Sequence, residues 1–170
     1  LEHLEMISAH TNPGLNGTIP SQFGNLKKLT LLQLYGTGLT GTIPSQLGAM
    51  TKLEVLRLES NPGLVGSIPS ELGMLSNLDN MYLHDMPGLN GTIPTELGNL
   101  VGLSYYLYIY NNPKLTGTIP SELGRLRIVD ELHLYNNPGL RGSIPSELGE
   151  MTQLVELYIY NTGVTGTIPT

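Results

Sequence analysis

Seven of the nine tyrosines in this 170-residue chain, and three of its four histidines, fall at two recurring positions separated by a single residue. The first is held in turn by Ser8, Gln33, Arg57, Tyr82, Tyr108, His133 and Tyr158, the second by His10, Tyr35, Glu59, His84, Tyr110, Tyr135 and Tyr160. The residue after the second position reads Asp85, Asn111, Asn136 and Asn161 in the last four copies. A phenol ring offers a large contact area at small entropy cost and keeps a polar tip, so a strip of this kind suits recognition of a protein, peptide or glycan. The same residues have a purely structural use, because tyrosine favours strands and neighbouring rings stabilise a sheet by ~0.2–1 kcal/mol per pair.

Catalysis is not expected of this set. No serine among these positions has a base and an orienting partner in neighbouring copies, and an open surface excludes no water. No cofactor is expected. Zero cysteines remove disulfides, thiolate metal sites and thiol nucleophiles. If each copy contributes one strand, His10 and His84 lie three strands and about 14 Å apart, too far to share a metal. Glu59 beside His84 offers an ion pair or a weak site, and no metal site is expected, because metals want three or more convergent ligands.

What aligns these residues is a repeat. Gly-Thr/Ser-Ile-Pro occurs seven times, with its glycine at Gly17, Gly41, Gly66, Gly91, Gly117, Gly142 and Gly166, at spacings of 24, 25, 25, 26, 25 and 24 residues. The repeat fills residues 1–170, so a single solenoid of about seven units is expected, without a second domain. In the unit from Met50 to Met74, the residues Met50, Leu53, Leu56, Leu58, Leu64, Ile68 and Leu72 recur as the inward set. Leu56-Arg57-Leu58-Glu59 alternates apolar and polar, the period of a short strand buried on one face, and stacked copies predict a parallel sheet. Asn61-Pro62-Gly63-Leu64 predicts a type II turn with Gly63 at positive φ. Asn12, Asn61, Asn112 and Asn137 share one place in that turn, where stacked amides can satisfy backbone groups. Ile68-Pro69-Ser70-Glu71-Leu72-Gly73 predicts a single short helical turn, opened by proline and stopped by glycine. Tyr105-Tyr106 belongs to a copy one residue longer, which predicts a bulge beside that strand or an insertion in the loop before it.

With 8 Lys+Arg against 14 Asp+Glu the net charge is −6, so the basic surface of a nucleic-acid binder is missing. No apolar run approaches the roughly 20 residues that span a bilayer, and no leader pattern precedes Leu1, so the chain as it stands reads as soluble, without a membrane-spanning segment. Glu5, Glu54, Asp79 and Asp130, with Glu131 and Glu156 one place later, form an acidic edge that reads as a solvated rim.

Aligned, the copies read L-x-x-L-x-x-L-x-L-x-x-N-x-x-L-x-G-x-I-P-x-x-L-G-x, which resembles the plant-type leucine-rich repeat of receptor-like kinase ectodomains and secreted polygalacturonase-inhibitor-like proteins. The resemblance implies an α/β fold: a right-handed solenoid with a parallel sheet on the concave face, a second short sheet around Gly-x-Ile-Pro, and short 3₁₀ or helical turns on the convex face. It also implies an extracellular or cell-surface location. Asn16 and Asn90, in Asn-Gly-Thr, would then accept glycans. Five copies carry an extra turn proline that the usual 24-residue unit lacks, at Pro13, Pro62, Pro87, Pro113 and Pro138. The cysteine-containing caps of such arrays are missing between Leu1 and Thr170, so the chain reads as a fragment.

The ligand surface expected is Tyr82, His84, Asp85, Tyr108, Tyr110, Asn111, His133, Tyr135, Asn136, Tyr158, Tyr160 and Asn161. Two other functions fit the repeat. Uncapped copies can stack end to end into a filament. A hydroxyl column at Thr18, Thr42, Ser67, Thr92, Thr118, Ser143 and Thr167, with Thr40, Thr116 and Thr165 beside it, is similar to the surfaces of leucine-rich-repeat proteins that bind ice.

Overall fold

The computed structural model describes residues 3–169; Leu1, Glu2 and Thr170 lie outside them. Seven three-residue strands, Met6–Ser8, Leu31–Gln33, Val55–Arg57, Asn80–Tyr82, Tyr106–Tyr108, Glu131–His133 and Glu156–Tyr158, pair in chain order as one parallel sheet. We number these strands as rungs 1 to 7. A second parallel sheet, also seven-stranded, runs from Asn16–Thr18 to Gly163–Val164 in the same order. Between successive rungs lie 3₁₀ turns such as Ser70–Met74. Each of the six turns follows a proline with φ between −62° and −69°, the angle its ring imposes.

The inward set closes the core. Met50, Leu53, Leu56, Leu58, Leu64 and Leu72 are fully buried, and Ile68 retains 3% exposure. Packing between rungs is tight enough that glycine is compulsory on the convex side: a Cβ on Gly73 would collide with the Glu96 carbonyl of the next turn. Such side-by-side units hold each other through nearest-neighbour contacts, as solenoids do.

Three of the four asparagines form the buried column that the sequence predicts, while Asn12, at the first rung, is exposed and donates to the Ala9 and His10 carbonyls at 3.1 Å. Asn112 Oδ1 accepts the Met86 N–H at 3.0 Å, while its amide donates to the Leu83 and Ile109 carbonyls at 2.7 and 3.0 Å. Asn61 and Asn137 make equivalent sets, and all three are completely buried. Met86 takes this place in the fourth copy, between Asn61 and Asn112, and packs as core instead.

Two turn expectations resolve differently. The Leu64 N–H does bond to the Asn61 carbonyl at 3.1 Å, but Gly63 has no positive φ, so the turn is not type II. Gly63 is required by space, since its Cβ would lie 2.6 Å from the Leu39 carbonyl oxygen. The signal was in the sequence: Lys114 occupies the same place in the fifth copy, and a lysine does not settle at positive φ. In that copy the extra residue sits in the loop before the strand. Tyr106, Leu107 and Tyr108 pair in ordinary register with Asn80, Met81 and Tyr82, and no bulge interrupts the ladder.

Candidate functional site

The two outward positions become two columns on the concave sheet. Pairing registers place Ser8, Gln33, Arg57, Tyr82, Tyr108, His133 and Tyr158 side by side. The second column lies just past the strand ends but remains on the ladder. There the N–H of the following residue bonds to the next rung, as in Asp85 to the Tyr110 carbonyl at 3.2 Å and Asn111 to the Tyr135 carbonyl at 3.1 Å.

Strand spacing of about 4.8 Å dictates how the rings meet. In the second column His84, Tyr110, Tyr135 and Tyr160 stack with centroids 4.2, 4.3 and 4.6 Å apart and planes within 12°. In the first column Tyr108, His133 and Tyr158 stack at 4.3 and 4.4 Å, and Tyr82 meets Tyr108 edge-on at 5.4 Å. Ring faces are therefore covered by their neighbours. Of the tyrosines in these two columns only those of the last rung are exposed, Tyr158 at 41% and Tyr160 at 54%, and the hydroxyls of Tyr108 and Tyr110 bond to Glu131 and His84.

Rungs 1 to 3 use the same positions otherwise. His10 stacks on Tyr35 at 4.4 Å, and Ser8 donates to Gln33 at 3.1 Å. Arg57 lies over the rings of Tyr35 and Tyr82 at 4.1 and 4.7 Å, while its Nε bonds to Glu59 at 2.8 Å. Glu59 is 2% exposed, and its second oxygen has no partner. The expected pairing of Glu59 with His84 is replaced by these contacts: Arg57 takes the carboxylate, and His84 Nδ1 bonds to Asp85 at 2.9 Å.

The third column has a backbone reason as well as a surface one. Thr11, Ser60, Asp85, Asn111, Asn136 and Asn161 all have φ between 52° and 57°, and Gly36 joins them at 62°. Asparagine, aspartate and glycine tolerate this left-handed conformation better than other residues. Side chains here also bond to each other: Asn111 to Asp85 at 2.6 Å, Asn136 to Asn111 at 2.6 Å and Asn161 to Asn136 at 2.8 Å. Asp85, Asn111 and Asn136 are thus partly engaged inside the protein.

Burial raises the pKa of Tyr82, Tyr108, Tyr110 and Tyr135 above the ordinary phenol value of 10.0, and at Tyr108 a hydroxyl bond to Glu131 adds to the effect. Tyr158 is raised chiefly by a hydrogen bond to Glu156. These phenols stay neutral donors at any physiological pH.

Sequence reasoning missed two features here. Tyr106 lies in register with Asn80 and Glu131, so an eighth tyrosine belongs to the concave face. Glu131 and Glu156 are not a solvated rim: both carboxylates approach His133 Nε2, at 3.6 and 3.4 Å. The one-residue offset between these glutamates and the other acids of the edge, visible in the sequence, moves them from the loop onto the strand.

No protein-family model and no curated protein matches the sequence. Solved structures do. A TDR receptor aligns over 99% of this chain and 28% of its own, with 33% identity and a TM-score of 0.93. The Arabidopsis receptor kinase HAESA ectodomain, in complex with an N-terminally extended IDA peptide hormone ligand, aligns over 92% of this chain and 26% of its own, with 35% identity and a TM-score of 0.84. A plant ice-binding protein aligns over the whole chain and 68% of its own, with 27% identity and a TM-score of 0.70. The chain spans about a quarter of each of these two receptors. Fold and neighbours together define a right-handed leucine-rich-repeat solenoid. This chain is a leucine-rich-repeat protein of the plant type. Among the described residues no helix is long and apolar enough to cross a membrane.

Proposed function

We propose that this chain is a non-catalytic recognition scaffold working outside the cell, and that the concave strip from Tyr82 to Asn161 holds an extended peptide. The carrying observation is the contrast along one sheet: rungs 4 to 7 stack aromatic side chains at positions where rungs 1 and 3 fold with Ser8, Arg57 and Glu59. A surface the backbone does not require is a surface kept for something else. Stacking favours a peptide over a glycan, because a sugar needs free ring faces and these are covered, whereas an extended chain packs along the ring edges. The peptide held by the HAESA ectodomain supports the same direction. Asn16 and Asn90 are exposed on the second sheet, away from this groove, and are the glycan acceptors of a secreted form.

Selection from a displayed random-peptide library on the purified chain tests this reading. Recovered peptides should lose binding to a variant carrying alanine at Tyr108, Tyr110, Tyr135 and Tyr158 while its circular dichroism stays native. Peptides that bind the variant equally well overturn it.

Ice binding is a second reading, carried by the likeness to the plant ice-binding protein and by the threonine column. It ranks lower because Thr40 and Thr116 donate their hydroxyls to the Gly17 and Gly91 carbonyls, at 3.2 Å each. The column is also staggered, with Thr18 opposite Thr40 and Thr92 opposite Thr116, and interrupted at Arg141 opposite Thr118. Thermal hysteresis in the purified protein would revive it.

A further inference from the structure

We propose that Glu131, His133 and Glu156 form a zinc site on the concave face. One ligand atom from each residue lies within 4.8 Å of the others. His133 is 7% exposed, and its Nε2 is buried without a hydrogen-bond partner. Stacking on Tyr108 and Tyr158 covers both faces of the imidazole, so the ring is held with its Nε2 edge towards the two carboxylates. A buried ring nitrogen left unbonded costs free energy unless something occupies it, and a cation between it and two carboxylates removes that cost.

The spacing admits zinc, and the donor types favour it. Two bonds of about 2.1 Å at a tetrahedral angle span about 3.4 Å, and the nitrogen lies 3.4 and 3.6 Å from the carboxylate oxygens. Calcium and magnesium prefer all-oxygen shells of higher coordination number, which one imidazole and two carboxylates do not supply. The Tyr108 hydroxyl donates to the same Glu131 oxygen, an outer bond that fixes the direction of a ligating carboxylate. Three protein ligands leave a tetrahedral zinc one position for water or for a carboxylate or imidazole of a bound partner. The ligands come from rungs 6 and 7, so the ion also ties those strands together. The site shares His133, Tyr108 and Tyr158 with the aromatic strip, but zinc uptake is measured with no peptide present, so its outcome is separate from that of the peptide test.

Titrating zinc chloride into the untagged, metal-stripped chain by calorimetry should show one saturable ion per chain. His133→Asn and Glu156→Gln should each weaken it by more than about a hundredfold, and Tyr108→Phe by about tenfold, since outer partners alone are worth 10- to 100-fold. Glu156, whose side chain is 39% exposed, can be changed with less risk to folding than His133. Cobalt in place of zinc should give the visible absorption of a tetrahedral centre, lost in Glu156→Gln. His84→Asn should leave zinc uptake unchanged. No saturable uptake, uptake indifferent to both ligand variants, or uptake lost with His84 would each overturn the assignment.

Discussion

Rungs 1 to 3 and rungs 4 to 7 share one backbone and differ in what they present. In both halves the strands pair in parallel register, the inward leucines of the inner rungs are buried, with Ile7 and Leu157 of the end rungs partly so, and the residue after the second column is left-handed. The outward side chains change most, from Ser8, Gln33, the single His10–Tyr35 stack and the Arg57–Glu59 pair to the continuous stacks that end at Tyr158 and Tyr160. The repeat thus separates two kinds of information. Inward positions are dictated by packing and must recur, whereas outward positions are free to carry recognition.

If the halves share a backbone, equivalent core losses should match. Leu58→Ala and Leu134→Ala, both at fully buried positions, should each cost ~2–5 kcal/mol by urea denaturation; a large disparity between them would break the equivalence. The next effect distinguishes the halves. Arg57→Ala strands a carboxylate that is 2% exposed and should cost up to about 3 kcal/mol, whereas truncating a stacked tyrosine such as Tyr135 should cost ~0.2–1 kcal/mol per ring pair lost. Removing the buried amide of Asn112 takes the acceptor from the Met86 N–H and should cost about 1–3 kcal/mol.

The smallest effect is seen at alkaline pH. Tyr82, Tyr108, Tyr110 and Tyr135 have folded pKa values above 10.0, raised first by burial. The unfolded chain therefore loses these protons first and binds fewer protons than the folded chain above about pH 10. Their contribution is complete below that value and declines as pH rises through the window, so stability should fall there. Alanine at Tyr108 and Tyr110 should flatten the decline in denaturation midpoints measured from pH 9 to 11.

The sequence reveals inward positions well because a leucine that returns every 24 to 26 residues has one physical explanation. The concave sheet was legible for that reason, the convex turns and the asparagine column from the proline, glycine and asparagine that recur with the leucines, and the second sheet only through the family resemblance. Gly63 was misjudged because a glycine serves either an unusual φ or a close approach, a choice that Lys114, at the same place in the fifth copy, decides. The zinc trio escaped because its members belong to different columns, and their convergence depends on rotamers rather than on spacing. For Asp85 and the asparagines after it, the outward strip suggested ligand contact, whereas backbone conformation explains the residue types first.

The central claim is that rungs 4 to 7 bind and rungs 1 to 3 do not. The direct test is isothermal titration of one library-selected peptide into the wild-type chain, the Tyr108, Tyr110, Tyr135 and Tyr158 alanine variant, and a variant with alanine at Gln33 and Tyr35. Binding abolished in the first variant and retained in the second is the expected result; affinity retained in the first, or lost only in the second, contradicts it.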